Sequence, residues 1–169
     1  MLKVDLRQLE RRGRLSIEDD VPPDAPLWHD LGLRFRAPLQ VRLEAQYAGR
    51  DVVVRGTLEG SAELPCSRCL KVVFVPVDEE VAFLFRPGIS EVEAEDAEIY
   101  VLPERGDELD LSGVVREQVT LSVPQYAVCE EACRGLCPKC GANLNLEQCR
   151  CEETVSDDRW AALRKLRSE

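Results

Sequence analysis

Eight cysteines carry the reactive chemistry of this 169-residue chain. Cys66 and Cys69 stand in "LPCSRCLKV", and the other six fall between Cys129 and Cys151 in "CEEACRGLCPKCGANLNLEQCRC". Thiolates are soft ligands, and two of them spaced two or three residues apart can reach one ion. Cys137 and Cys140 form C-P-x-C-G, the shape of a zinc knuckle. There Pro138 stiffens the turn, and Gly141 lets the backbone curl so that amide N–H groups face the sulfurs. Cys149 and Cys151 return after eight intervening residues as a C-x-C pair, which would complete a four-thiolate site. The C-x-x-C of Cys66 and Cys69 with the C-x-x-x-C of Cys129 and Cys133 makes a second. The spacing also admits a site from Cys66, Cys69, Cys137 and Cys140, or a single site among the eight. One or two structural Zn2+ ions are expected.

Other uses of clustered thiols fit less well. Redox-active C-x-x-C pairs sit where a strand meets a helix, whereas "CSRCL" lies between strand-like segments. A catalytic zinc keeps an open position and a general acid or base nearby. The single histidine, His29, lies in a Pro- and Asp-rich stretch far from any cysteine in sequence. No G-x-G-x-x-G, P-loop, H-E-x-x-H or H-x-E before P-C-x-x-C occurs, so no enzyme and no small-molecule substrate are expected. The alternative is a redox- or zinc-responsive regulator whose thiolates lose metal on oxidation.

The elements that must hold these cysteines are read from periodicity. "LKVDLRQLERRG" fits either a strand entering a turn or a brief amphipathic helix. "DDVPPDAPLW" reads as loop or extended chain. Leu39, Val41, Leu43 and Ala45 alternate with Gln40, Arg42 and Glu44, the period of a half-buried strand. "AGRD" is a hairpin turn, and "VVVRGTLEGSAEL" a second strand with Gly56 and Gly60 as bulge or bend points. "KVVFVPVDEEVAFLFRP" continues as a third. Leu111, Val114, Val115, Val119 and Val123 fall at helical spacing over about 110–123, with Asp110 or Ser112 as cap and Pro124 as stop. Trp160, Leu163 and Leu166 give "SDDRWAALRKLRS" the apolar stripe of a short C-terminal helix that would pack on the body. The fold class is α+β: an antiparallel meander or partial barrel, one central and one C-terminal helix, and a Cys-rich zinc loop module. The division is a β body over 1–128 and the zinc module with its helix over 129–169.

The net charge of −10 is local. Residues 78–110 hold twelve Asp or Glu against Arg86 and Arg105, and read as an acidic loop around one short strand, Ile99–Leu102. That tract reads as a solvated surface loop, with a docking surface for a basic partner as the alternative. Arg68, Arg134, Lys139 and Arg150, interleaved with the cysteines, are the candidate nucleic-acid contacts. No apolar run approaches the roughly eighteen residues of a membrane span, and the N-terminus has no apolar h-region. A cytoplasmic protein that keeps its thiols reduced is expected.

"CSRCL" between strands, "DLSGVVREQVTLSVP" before a cysteine, "CEEACRGLCPKCGANLN" and a terminal "DDRWAALRKL" together resemble the YceD family. These are the bacterial and plastid large ribosomal RNA subunit accumulation proteins, and the likeness runs from about Pro38 to Leu166. Some members keep C-x-R-C but lack the last cysteines, which implies two separable metal sites and favours grouping Cys66 and Cys69 with Cys129 and Cys133. The resemblance implies a non-enzymatic role in large-subunit assembly, with ribosomal RNA or a basic ribosomal protein as partner. "SDDRW" departs from the family's usual Asp-Pro-Arg, at the start of the last helix.

Overall fold

The computed structural model describes residues 2–29, 31–96, 99–103 and 107–151. A short strand β1 (Lys3–Asp5) passes directly into helix α1 (Leu6–Arg12), so the ambiguous N-terminal stretch is both strand and helix. Asp5 caps α1 by accepting the Gln8 N–H at 2.8 Å. β2 (Arg14–Val21) follows, then a single 3-10 turn (Pro26–Trp28) and the two-residue β3 (Arg34–Phe35). β4 (Leu39–Ala48), β5 (Asp51–Pro65) and β6 (Val72–Pro87) form the expected meander. Helix α2 (Glu91–Asp96), β7 (Tyr100–Leu102), β8 (Glu108–Asp110) and helix α3 (Ser112–Ser122) complete the described chain.

The main sheet has the order β2-β4-β5-β6-β7, with β3 alongside β5. All its pairs are antiparallel except β6–β7. It is an open sheet, so the partial-barrel alternative is not what forms. β1 and β8 make a separate two-stranded ribbon.

The alternating face behaves as its period demands: Leu39, Val41, Leu43 and Ala45 are all buried, facing Val52, Val54, Leu58 and Ala62 of the same inner surface. Val114, Val115 and Val119 of α3 and Trp28 close the core from the other side. Asp110 receives the Ser112 N–H at 2.8 Å, just outside the helix, and the helix stops before Pro124 as expected.

Two expectations are corrected. Residues 78–110 are not one acidic loop, because 78–87 are the second half of β6 and 91–96 are helical. Asp78 and Glu80 are exposed while Val77, Val81, Phe83 and Phe85 are buried, so the acids occupy the outer side of a strand. The start of "DDVPPDAPLW", read as loop or extended chain, is extended: Asp19, Asp20 and Val21 end β2, paired residue for residue with β4. Gly56 and Gly60 mark no bulge, for the β5–β6 register is unbroken from Val52↔Phe85 to Pro65↔Val72. Gly56 serves close approach: a Cβ there would lie 1.9 Å from the Arg42 carbonyl oxygen. The C-terminal helix at Trp160, Leu163 and Leu166 lies outside the described residues.

Candidate metal centre

β5 and β6 are longer than the strands beside them: β4 pairs with β5 only as far as Glu59, and the hairpin projects onward to its tip at Cys66–Lys71. The tip is a knuckle. Leu70 N–H bonds the Cys66 carbonyl at 2.9 Å, and Cys66 N–H bonds the Lys71 carbonyl at 2.8 Å. Ser67 N–H reaches the Ala127 carbonyl at 2.8 Å, which draws the chain leaving α3 alongside the tip.

Cys66 and Cys69 thereby meet Cys129 and Cys133. The four sulfurs lie within 4.8 Å of one another, with Cys66 and Cys133 at 3.9 Å and Cys69 and Cys129 at 3.6 Å. A tetrahedral ion with ligands at roughly 2.3 Å sets its sulfurs about 3.8 Å apart, whereas a disulfide closes them to about 2.05 Å. The group therefore has the spacing of metal ligands, and all eight cysteines are free thiols. Cys66, Cys69 and Cys133 are buried and Cys129 is partly exposed, and they form a small cluster with Val73 and Leu136, apart from the main core.

The backbone and side chain of Arg68 lock this assembly. Its guanidinium donates to the carbonyls of Glu131 and Cys133, both at 3.0 Å, and its own carbonyl accepts the Leu136 N–H at 3.0 Å. Asn145 is the second brace. Its side-chain N–H donates to Cys133 Sγ at 3.4 Å, and its Oδ1 accepts the Arg134 N–H at 2.7 Å. Neither role was expected from the sequence. Asn-x-Asn in a turn is the one signal that could have pointed to Asn145, since Asn143 Oδ1 accepts its N–H in an Asx turn at 3.0 Å.

Cys137, Cys140, Cys149 and Cys151 form the second group, again within 4.8 Å. Cys149 lies 3.3 Å from Cys137 and 3.5 Å from Cys140. The knuckle closes through Gly141 N–H to the Cys137 carbonyl at 2.9 Å, and Lys139 N–H faces the Cys137 sulfur at 3.4 Å. The mixed grouping of Cys66 and Cys69 with Cys137 and Cys140 is not formed.

In each group the first cysteine of the knuckle is primed. The Cys69 N–H, helped by those of Arg68 and Cys129, holds the Cys66 thiol down to about 6 against the cost of burial. The N–H groups of Cys140 and Lys139 likewise hold Cys137 down to about 6. The neighbours move the other way. Burial and then shared hydrogen bonds with the other thiols push Cys129 up to about 12. Hydrogen bonds to Cys149 and Cys140 push Cys151 up to about 12. Thiolates packed this closely repel one another, and a divalent cation removes that penalty. Each four-cysteine group can thus hold a metal ion.

Of the basic residues interleaved with the cysteines, Arg68 has its guanidinium turned onto protein carbonyls. Arg134, Lys139 and Arg150 are exposed beside the second group and its connection to the first. No helix among the described residues is long and apolar enough to cross a membrane.

A family described as "Large ribosomal RNA subunit accumulation protein YceD" matches residues 54–167, which include all eight cysteines. An uncharacterized protein of Mycobacterium tuberculosis is 30% identical over 165 residues, covering 96% of this chain and 79% of the relative. YlbN of Bacillus subtilis is 28% identical over 168 residues, covering 98% and 96%. The chloroplastic large ribosomal RNA subunit accumulation protein YCED homolog 1 of Arabidopsis thaliana is 28% identical over 160 residues. This chain spans about half of that plant protein, 49% of its length. No solved structure matches.

Proposed function

Because this chain belongs to the YceD family, we propose that it is a non-catalytic, zinc-stabilised factor that supports the accumulation of large-subunit ribosomal RNA, acting in the cytoplasm where ribosomes assemble. The observation that carries the scaffold role is the meeting of Cys66 and Cys69 with Cys129 and Cys133, some sixty residues away, around one point. Four protein sulfurs fill a tetrahedral complement, so an ion there has no position left for water or substrate. Zinc is the ion these donors suit best among those available in a reducing compartment. When bound it supplies folding energy by fixing the hairpin tip to the segment after α3, where only Val73 of the hairpin and Leu136 of that segment, among the described residues, pack against the cysteines.

The partner we favour is a basic ribosomal protein. The chain is acidic, with pI about 4.8, and Glu91, Glu93 and Glu108 are exposed between β6 and α3. Charge complementarity there would speed encounter with a cationic segment and screen it from premature contacts. Direct binding of ribosomal RNA through Arg134, Lys139 and Arg150 is the second reading. It is weakened by the internal use of Arg68, which leaves fewer cations for phosphate.

Affinity capture of the full chain from a lysate, with and without ribonuclease, tests the proposal. Ribosomal proteins retained after ribonuclease support the protein partner; their loss favours RNA. Absence of all large-subunit components from both samples would refute the assembly role. Metal analysis of the reduced protein, finding no zinc, would refute the scaffold.

A further inference from the structure

The two four-cysteine groups are built to different standards. In the first, Cys66 is fully buried, and Cys69 and Cys133 are 7% and 4% exposed. Its ligands come from two distant segments locked by Arg68, Asn145 and the backbone bond from Leu136. In the second, Cys140 and Cys151 are exposed and Cys149 is partly so, leaving only Cys137 buried. All four ligands lie within one short loop, and Cys149, Arg150 and Cys151 make no backbone hydrogen bond to another described segment. Access and thiolate character govern cysteine oxidation. Access favours the second group.

We propose that Cys140 and Cys149 are a peroxide-reactive pair, so that the second group gives up its ion under oxidation while the first keeps its own. This rests on the metal of the function proposed above but not on its ribosomal partner. Cys140 is the exposed member, and the Cys149 sulfur stands 3.5 Å away as resolving thiol. The Cys140 thiolate attacks hydrogen peroxide, breaking the O–O bond to form a sulfenic acid and release water. The Cys149 thiolate then displaces hydroxide from that sulfur and forms the disulfide. In sum, two thiolates lose two electrons, and peroxide accepts them with two protons from solvent to give two waters. Cys137 and Cys151 alone are too few ligands to retain a divalent ion. A thiol reductant and fresh metal restore the site. Under oxidant the C-terminal loop would therefore loosen while the hairpin tip stayed fastened.

The test uses the full-length chain loaded with zinc and treated with hydrogen peroxide. Released zinc is followed with a chromogenic chelator, and free thiols are mapped by differential alkylation and mass spectrometry. One equivalent of zinc should leave at least about tenfold faster than the other, with a Cys140–Cys149 disulfide and unmodified Cys66, Cys69, Cys129 and Cys133. Cys140→Ser should abolish the fast phase of disulfide formation, and dithiothreitol with zinc should reverse the change in the parent chain. Loss of both ions at one rate would overturn the proposal. So would earliest oxidation in the first group, or a loaded second group inert to excess peroxide. A chain with zinc in the first group alone would overturn it while leaving the scaffold intact. A chain with no zinc anywhere would overturn the scaffold as well.

Discussion

Gly135 lies against Arg68 so closely that a Cβ on the glycine would stand 2.9 Å from the Arg68 carbonyl oxygen. Gly135 also has φ +76, in the left-handed region that side chains rarely adopt. That contact joins the two cysteine segments, because the same Arg68 carbonyl receives the Leu136 N–H. Gly141 has a similar φ of +74 but open space around it. Gly135→Ala should therefore destabilise the metal-loaded chain by about 2–3 kcal/mol, and Gly141→Ala by only about 1 kcal/mol. Denaturant titration of the two variants checks the ordering; equal losses would mean that the Arg68 contact is not tight.

Asn145 touches the first group without being a ligand. Its amide N–H points at Cys133 Sγ, and its oxygen fastens the Arg134 backbone. Groups that orient a ligand and donate to it commonly change metal affinity ten- to a hundredfold. Asn145→Ala should weaken the more tightly held zinc by about tenfold in a chelator competition, and Asn145→Asp, which replaces the donor with a repelling charge, by more. An unchanged affinity in both variants would confine Asn145 to loop shaping.

How much of this could be read beforehand follows from the range of each signal. The inner face of β4 was legible because Leu39, Val41, Leu43 and Ala45 alternate without interruption, and burial on one face requires that pattern. β6 was legible as a strand in "KVVFVPVDEEVAFLFRP", but the run of Asp78, Glu79 and Glu80 also drew its second half into the acidic loop. Pairing of β1 with β8 joins Lys3 to Asp110, a separation no local period reports. The cysteine spacings announced two knuckles but left their partners open, because what selects Cys129 and Cys133 for Cys66 is the reach of the β5–β6 hairpin. Arg68 shows the limit most clearly. An arginine between two cysteines looks like a phosphate contact, and only the fold shows its guanidinium turned onto the Glu131 and Cys133 carbonyls.

Tyr100 supplies a pH signature for the β6–β7–α3 corner. Its ring packs near Phe83 and Phe85, and its hydroxyl donates to Glu117 at 3.1 Å. Burial, and then the charge of Glu117, push the phenol up to about 12. The neutral phenol is thus the form the fold prefers, against about 10 in an unfolded chain. Its contribution to stability is complete below pH ~10 and is lost as pH rises through about 12. Phenolate absorbance, assigned by difference from Tyr100→Phe, should show this residue titrating late. Glu117→Gln should bring the transition down, and a Tyr100 transition near the unfolded value in the parent chain would show that the corner is open to water.

Arg68 separates the structural from the RNA-binding reading of the knuckle. Its two hydrogen bonds to backbone carbonyls are charge-assisted, a class worth about 1.5–3 kcal/mol when shielded, and the solvent exposure of this side chain argues for the lower end. Arg68→Ala should lower the stability of the metal-loaded chain by about 1–2 kcal/mol and loosen the first group, so that its zinc is lost at lower chelator concentration. Arg134→Ala and Arg150→Ala, whose side chains are exposed, should leave stability within about 0.5 kcal/mol of the parent. Binding to large-subunit ribosomal RNA, measured over a series of salt concentrations, completes the comparison. If phosphate contacts dominate, Arg134→Ala and Arg150→Ala flatten the salt dependence while Arg68→Ala leaves its slope alone. A flattened slope for Arg68→Ala with unchanged stability would instead make that guanidinium an RNA ligand, and the carbonyl clamp would have no structural role.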